Sequence, residues 1–480
     1  MSTTKTTGTT AGPTIERHSI DYIPWSERHG KLWHQAPFWF TGNFVLPTMV
    51  IGFLGPELGL SAGVTFLAVL LGACFGTFFM AFHANQGPRM GLPQMIQSRA
   101  QFGARGVIIP FLATVFVYIG FMVFDVILAT QGLGLVLPDA KWFWYPVLTA
   151  LSIVIAVVGH DLLHFVQRWL TYFLILAFAI VTVLAFTTLP APSAAHAGGF
   201  DPTGFLIEFS LAAGYNISYA VYVSDYSRYL PPKSSAPKLI FYTYIGAAGS
   251  AVWLMGLGGL LASRIPKVDA ISSIKQVGDN LFPGFGTIVV LISVLALISI
   301  MGVNAYGAML TSVSGIDAFR PVKATVRARV VGLVVVGVIT VIAALAIPDN
   351  YLGSFNNFVL LMLYFLVPWT AVNLVDFYAV RHGKYAITEI FNPKGIYGRW
   401  AWRGLVAYSV GFLVMIPFFS LPGLFTGPVA NAIGGADISF AVGLVVAGGL
   451  YYLFSRSLDR RVEEQARVRS QRELEGVDAG

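Results

Sequence analysis

The chain is poor in cysteine and in charged residues. Its 480 residues include one cysteine, Cys74, and 11% Asp, Glu, Lys and Arg, against about 25% in ordinary soluble domains. A single cysteine excludes an internal disulfide and a cysteine-rich metal cluster. With 56% hydrophobic residues and a mean hydropathy of +0.71, the composition is that of an integral membrane protein. The length allows about a dozen helices of roughly 20 residues each.

The sequence also lacks the residue groupings of catalytic sites. No Ser/His/Asp, His-rich or Gly-rich phosphate-binding constellation is evident. The ends of the chain are short for a signalling domain, which argues against a receptor. We therefore predict a protein that is not an enzyme and that needs no cofactor.

Hydropathy predicts twelve membrane spans, numbered here in chain order. They are 36–58, 61–83, 107–134, 143–159, 165–188, 203–227, 239–262, 284–312, 329–347, 353–376, 402–421 and 437–455. The predicted fold class is therefore an all-α integral membrane protein with about 12 transmembrane helices.

The basic residues are distributed unevenly between the two sides of the membrane. With these spans, 26 of the 30 Lys and Arg residues fall on the side of the N-terminus and 4 on the other. The positive-inside rule then predicts a multi-pass protein of the inner (plasma) membrane with both termini cytoplasmic. The formal net charge of +7 is explained by basic residues on the cytoplasmic side of the lipid bilayer, so it does not indicate a nucleic-acid partner.

Two spans carry residues that interrupt helices. Span 1 contains Gly42, Asn43 and Pro47, and span 6 contains Gly214-Tyr215-Asn216. Free backbone groups in hydrocarbon are costly, so such interruptions occur where protein or a watery cavity satisfies them. The alternative for span 1 is a continuous helix with a proline kink. Two broken helices five spans apart are typical of an inverted five-plus-five repeat.

This repeat gives the predicted organisation of the chain. The segments are a cytoplasmic N-terminal segment (1–35), a first repeat of spans 1 to 5 (36–188), a second repeat of spans 6 to 10 (203–376), spans 11 and 12 (402–455), and a cytoplasmic tail (456–480). The tail is charged and favours a helix, which we expect to be solvated.

Two carboxyl groups lie within predicted spans. Asp125 is in span 3 and Glu208 is in span 6. Insertion of a carboxylate costs about 2.5–3.5 kcal/mol on translocon scales, so each is expected to face the protein interior. Either side chain is a candidate for cation coupling.

Five motifs are distributed over the chain: IERHSIDYIPWSERHG (15–30), GPRMGLPQMIQSRAQFGARG (87–106), DYSRYLPP (225–232), NAYGAML (304–310) and VDFYAVRHGKY (375–385). Together, and in this order, they resemble motifs of the nucleobase:cation symporter family, the purine and cytosine permeases. The resemblance implies a LeuT-like fold with discontinuous helices 1 and 6, two extra helices, and a site for a flat heterocycle between spans 1, 3, 6 and 8.

The resemblance also suggests which side chains stack on the ring. In span 3 it places Tyr118 at a polar position and Phe121, three residues later on the same helix face, as the aromatic that sandwiches the ring with one of span 6. In span 6 a stacking aromatic precedes Asp225 by an interval that varies in the family. One register reaches Asn216, another reaches Tyr219, and Tyr215 is adjacent.

Polar groups near the breaks complete the predicted substrate site. Asn43, Asn216 and Asn304 offer amides that both donate and accept hydrogen bonds, as the edge of a nucleobase requires. Half-helix ends at Gly42 and Gly214 are expected to expose backbone groups. The carbonyl of Gly42 is also a candidate for cation coupling.

The coupling ion is predicted to be H+ rather than Na+. Sodium-coupled relatives have two small hydroxyl residues in span 8 that face span 1, where this chain has Ile300 and Met301. Ser299 is the nearest remaining hydroxyl. Proton coupling through Asp125 or Glu208 is therefore favoured, with Na+ symport as the alternative.

The sequence thus predicts a secondary transporter that imports a nucleobase or related flat nitrogen heterocycle, such as a purine, cytosine or an allantoin-like or hydantoin-like ring, by cation symport. The alternatives are a Na+-coupled symporter of the same fold and a carrier of a different small solute, such as a vitamin or an amino acid.

Overall fold

A computed structural model describes residues 21–158, 160–192, 198–320 and 325–478, without the side chains of 158–169, 326, 477 and 478. Residues 1–20 of the predicted N-terminal segment therefore lie outside the described part of the chain. Within the described part, every predicted span contains an α-helix.

Five spans consist of one uninterrupted α-helix of 20 or more residues, and the structure describes all of their side chains except that of residue 326. They are span 2 (Ala62–Ala84), span 3 (Ile108–Leu133), span 7 (Ala236–Arg264), span 8 (Phe285–Asp317) and span 9 (Val326–Ala346). Span 4 is Lys141–Val158 and span 5 is His160–Thr188. Span 11 is Trp402–Met415 and span 12 is Ser439–Ser455.

Spans 1, 6 and 10 depart from a regular α-helix. Span 1 comprises Gln35–Asn43, Leu46–Ile51 and Leu54–Glu57, and its two halves are bent by 67°. Span 6 comprises Pro202–Ile217, a 3-10 turn Ser218–Val221 and Val223–Ser227. Span 10 is Leu352–Leu374 and ends in a π-helical turn, Val375–Val380.

Shorter elements cover the ends of the spans. They are 3-10 turns Trp25–Glu27, Leu32–His34, Thr388–Phe391 and Ile416–Phe418; helices Gln86–Met90, Gln94–Gln97, Arg99–Phe102, Ala270–Gly278 and Pro428–Ala432; strands β1 (Ser420–Leu421) and β2 (Phe425–Thr426), which pair antiparallel; and a tail helix, Arg460–Asp478. The tail helix bends by 90° from span 12.

Small residues allow spans 2 and 6 to pack closely. A Cβ atom on Gly72 would lie 2.3 Å from the carbonyl oxygen of Phe209, and one on Gly76 would lie 2.2 Å from that of Ala213. Small residues let helix backbones approach in membranes, where the hydrophobic effect does not drive helices together. Glycine at these two positions therefore fixes the distance between the spans.

Spans 1 and 7 form a second close pair. A Cβ on Gly246 would meet the carbonyl of Ala36, and one on Gly258 would meet that of Met49. Spans 1 and 7 are thus in close backbone contact on both sides of the break in span 1.

The sequence motifs close the N-terminal face, by which we mean the side of the molecule that carries residues 21–34. The Arg28 side chain donates from Nε to the carbonyl of Ile23 and from Nη1 to that of Pro88, both at 2.8 Å. The backbone N–H of Gln94 donates to Asp225 Oδ1 at 2.7 Å. The motifs 15–30, 87–106 and 225–232 therefore meet at this face, where their hydrogen bonds hold the end of span 6 in place.

The breaks do not lie at the predicted residues. The first half of span 1 runs through Gly42 to Asn43, and the helix stops at Phe44 and Val45. Span 6 remains helical through Gly214 to Ile217 and is interrupted at Ser218–Tyr222. The predicted half-helix end at Gly42 is one residue from the observed end at Asn43, whereas the predicted end at Gly214 is wrong.

A packing contact explains why Gly214 misled the prediction. A Cβ on this residue would lie 2.9 Å from the carbonyl oxygen of Val359, so glycine is needed for the approach of span 10 rather than for a break. Pro47, by contrast, lies in the first turn of the second half of span 1, where a missing N–H costs no hydrogen bond.

The tail is not simply solvated, as the sequence suggested. Ala466 is fully buried and Ser470 is 2% exposed, because one face of the tail helix packs against the connection between spans 10 and 11. Charged side chains cover the opposite face, which is the pattern that the sequence showed.

Candidate functional site

Asn43 joins the two broken helices. Its Nδ2 donates to Asn216 Oδ1 at 3.0 Å and to the carbonyl of Ala247 in span 7 at 2.9 Å. Its Oδ1 accepts from the Tyr219 hydroxyl at 3.0 Å. Asn43 is fully buried, so these bonds connect spans 1, 6 and 7 in a site without solvent.

Thr48 secures the same junction from the second half of span 1. Its hydroxyl donates to the backbone carbonyl of Asn43 at 2.7 Å, which occupies an acceptor that the helix break leaves free. Thr48 Oγ1 also lies 2.9 Å from the Tyr215 hydroxyl. Sequence reasoning missed Thr48, although its place one residue after Pro47 marks it as part of the break.

Two tyrosines from different spans lie nearly parallel beside this junction. The rings of Tyr118 in span 3 and Tyr222 in span 6 have centroids 5.6 Å apart and an interplanar angle of 21°. Tyr222 is the residue between the 3-10 turn and the last helix of span 6, with φ −138° and ψ 6°. The sequence prediction missed Tyr222, which lies three residues before Asp225 of a motif.

Other aromatic rings enclose the pair. Trp39 in span 1 contacts Tyr219 and Tyr222, each at 6.2 Å between ring centroids. Phe121 lies edge-on to Tyr215, with centroids 5.4 Å apart and an angle of 85°. Trp39 was also missed by sequence reasoning, and Phe121 is oriented edge-on to span 6 rather than parallel to a ring.

Asp125 lies within this group of residues. Its side chain is 2% exposed, and its Oδ2 has no hydrogen-bond partner in the part of the chain that the structure describes. Asn304 of span 8 faces the carboxyl, and Tyr215, Tyr219 and Tyr222 lie within electrostatic range of it. The carboxyl thus has neighbours from spans 6 and 8.

Glu208 is placed differently from Asp125. It is fully buried, and among the described residues neither carboxyl oxygen has a hydrogen-bond partner. The carboxyl faces the backbone of Gly55 near the far end of span 1. Its neighbours therefore come from spans 1 and 6, which are joined to each other at the break.

The remaining predicted residues have mixed positions. The Gly42 carbonyl lies 3.5 Å from the Tyr219 hydroxyl and is part of the junction. Ser299 is 3% exposed, and its hydroxyl has no hydrogen-bond partner among the described residues. Gly214 packs against span 10. The structure thus groups Asn43, Tyr215, Asn216 and Tyr219 directly, with Tyr118, Phe121, Asp125 and Asn304 beside them.

Comparisons with known proteins agree with this architecture. The sequence model of a family described as permeases for cytosine and purines, uracil, thiamine and allantoin matches residues 22–443. The putative purine-cytosine permease YxlA of Bacillus subtilis is 37% identical over 458 residues, which cover 95% of this chain and 99% of that protein.

Two solved structures of the transporter Mhp1 share the fold. The inward-facing form has a TM-score of 0.74 at 17% identity and covers 96% of this chain and 98% of that chain. The closed form with bromovinylhydantoin bound has a TM-score of 0.72 at 16% identity and covers 94% and 99%. The predicted all-α membrane fold with broken helices 1 and 6 is therefore confirmed.

The family and the relatives are permeases, which confirms that the chain is a transporter and not an enzyme. With the family match extending over most of its length, the chain belongs to the cytosine/purine, uracil, thiamine and allantoin permeases, the nucleobase:cation symporter family that its motifs predicted.

Proposed function

We propose that this permease imports a nucleobase or a related flat nitrogen heterocycle together with H+. The observation that carries the proposal is the nearly parallel ring pair of Tyr118 and Tyr222, one from span 3 and one from the break in span 6. Asp125 and Asn304 lie next to it. A pair of stacked rings beside a carboxyl and an amide suits a planar ring with polar edges.

The ring pair is closed and has to open to admit a substrate. Carbon atoms in contact are about 3.5 Å apart, so a ring between two others needs centroids roughly 7 Å apart. The observed 5.6 Å is shorter. Tyr222 belongs to the irregular part of span 6, so a movement of spans 1, 2, 6 and 7 relative to span 3 separates the rings.

Edge recognition is assigned to Asn304 and Asp125 rather than to Asn43 and Asn216. The side chains of Asn43 and Asn216 form hydrogen bonds with each other and with neighbouring backbone carbonyl and hydroxyl groups. Asn304 supplies a donor and an acceptor, and Asp125 supplies acceptors when ionised and an O–H donor when it carries the proton. Asn43 and Asn216 then position the half-helices.

The coupling proton is assigned to Asp125. Alternating access requires that the surroundings of the coupling group change during transport. Asp125 of span 3 faces groups of both spans 6 and 8, so the movement of span 6 changes its surroundings. Glu208 faces span 1 from span 6, and these two spans move together because they share the Asn43 junction.

Sodium coupling is the second candidate, and one observation favours it. The Ser299 hydroxyl is buried without a hydrogen-bond partner in the described part of span 8 and its surroundings. A single hydroxyl offers fewer ligands than Na+ coordination uses, which supports H+ instead.

The N-terminal face is assigned to the cytoplasm of a plasma-membrane protein. This assignment rests on the 26 of 30 basic residues that the predicted spans place on that side. Import then carries the substrate from the opposite face to the face closed by residues 21–34.

A thermal-shift screen of the purified protein tests the substrate class. The panel contains cytosine, uracil, hypoxanthine, allantoin, a benzylhydantoin, pyridoxine and leucine, each with sodium chloride or choline chloride. We expect at least one heterocycle to raise the denaturation midpoint in choline, and leucine to leave it unchanged. Stabilisation by leucine alone, or by no heterocycle, contradicts the proposal. Stabilisation that requires sodium supports the second candidate.

A further inference from the structure

The tail helix is bound to the end of span 10. Arg460 Nη1 donates to the backbone carbonyl of Val380 at 2.5 Å, and the backbone N–H of Thr388 donates to Ser470 Oγ at 3.0 Å. Ala466, between them, is fully buried. The contacts extend from Arg460 to Ser470, so the first part of the helix is held at several points rather than at one.

Asp376 is the buried centre of this region. It lies in the π-helical turn that ends span 10 and is fully buried. Its carboxylate accepts from Gln101 Nε2 at 2.5 Å, from the Tyr385 hydroxyl at 2.8 Å and from the Tyr451 hydroxyl at 2.8 Å, and it also pairs with Arg381. These donors come from the connection between spans 2 and 3, from the connection between spans 10 and 11, and from span 12.

Glu463 extends the network into the tail. Its Oε1 accepts from Arg381 Nη2 at 2.7 Å and from Nε at 3.1 Å. The Arg381 side chain is 5% exposed and that of Glu463 is 20% exposed. Arg381 therefore bridges two carboxylates, one in span 10 and one in the tail, and bonds to charged groups of this kind are stronger than neutral ones.

Span 10 leads from this network to the substrate site. Its Phe358 packs edge-on against Phe121 at 5.5 Å between ring centroids, and its Val359 carbonyl lies against Gly214 of span 6. A helix transmits a shift at one end to the other when side chains pack closely along it. The position of the end of span 10 thus bears on the packing around Phe121.

We infer that Glu463 is a positioning residue for transport: through Arg381 and Asp376, the tail helix fixes the position of span 10 and thereby sets how readily span 10 releases the site. π-Helical turns are frequent at functional sites, and here the turn places Asp376 against four donors. This inference rests on the proposed function for its effect on uptake, but its effect on span 10 does not depend on the substrate.

The test compares Glu463→Gln with Glu464→Gln in the full-length protein. Glu464 is the next residue of the same helix, and its side chain is 56% exposed and forms an ion pair with Arg467 of the same helix. Hydrogen exchange of residues 355–387 is measured without substrate, and uptake of radiolabelled cytosine, uracil and hypoxanthine gives Vmax and KM. We expect the backbone amides of span 10 to exchange at least threefold faster in Glu463→Gln than in Glu464→Gln. We also expect Vmax of Glu463→Gln to differ at least threefold from that of Glu464→Gln, with KM within twofold.

Each outcome decides the inference. Equal hydrogen exchange in the two variants overturns the inference. Faster exchange confined to residues 381–387, with exchange in span 10 and Vmax unchanged, also overturns it, because the tail then stabilises only the residues next to it. If the wild-type protein carries none of the three rings, hydrogen exchange of residues 355–376 alone decides this inference, and the thermal-shift screen decides the proposed function. If Glu463→Gln does not fold, Arg460→Gln, which removes the bond to Val380, is measured with the same criteria.

Discussion

Asn43 and Asn216 are 173 positions apart in the chain, and their side-chain amides are joined by a hydrogen bond of 3.0 Å. Each lies at the end of the first half of a broken helix. The bond therefore holds the two breaks at one depth in the membrane. The proposed substrate site lies beside this junction, to which Tyr219 and Thr48 also contribute hydrogen bonds with Asn43.

Replacing Asn43 should destabilise the protein. Asn43→Ala removes the partner of Asn216 Oδ1 and of the Tyr219 hydroxyl, both of them buried, whereas the Ala247 carbonyl still accepts from the Ser250 hydroxyl. Each unpaired buried group costs about 1–3 kcal/mol, so we expect a loss of at least about 2 kcal/mol. Thermal denaturation in detergent measures it. Asn280→Ala, which removes one exposed bond to Thr188, is the control, and equal stability of the two variants contradicts the role of Asn43.

The ring of Tyr222 should matter more than its hydroxyl. Stacking of a base on an aromatic ring is worth about 1–3 kcal/mol, so Tyr222→Leu should weaken binding of the transported heterocycle at least about fivefold. Tyr222→Phe keeps the ring beside Tyr118 and should stay within about threefold of wild type. Equilibrium binding of the heterocycle identified in the thermal-shift screen gives both numbers. A Leu variant that binds as well as the Phe variant contradicts stacking at this position.

Neutralising Asp125 should remove the pH dependence of uptake. If a proton enters with the substrate, wild-type uptake rises as the external pH falls from 8 to 5 in choline buffer. Asp125→Asn can no longer exchange a proton, so its uptake should be flat over this range. Glu208→Gln is the matched control, because Glu208 is equally buried but faces span 1, and should keep the wild-type profile. The reverse pattern would assign coupling to Glu208.

A methyl group at Gly76 should separate spans 2 and 6. The added Cβ would lie 2.2 Å from the carbonyl oxygen of Ala213, and a backbone atom cannot move aside as a flexible side chain does. Overpacking of this kind costs about 1–3 kcal/mol, so Gly76→Ala should lower the denaturation midpoint and the yield of folded protein. Gly63→Ala in the same helix has nothing within 4 Å of the new Cβ and should not lower either. Equal behaviour of the two variants would show that the spans tolerate the separation.

The sequence determined the class of the protein and predicted that spans 1 and 6 are interrupted. Long apolar segments, sparse charge and the asymmetry of the basic residues depend on the solvent preference of each residue, which is local information. Asn43 and Asn216 indicated two interrupted helices, because polar groups in the hydrocarbon region need hydrogen-bond partners within the protein.

Only the tertiary structure decided where the helices break, which rings face each other and where the tail lies. Gly214 marks the approach of span 10 and not a break, because a glycine serves either purpose and only the neighbour shows which. Tyr222 faces Tyr118, and Arg381 faces Glu463, across distances of 104 and 82 positions in the chain. Such pairs are set by the packing of whole helices, a property that no single stretch of sequence carries.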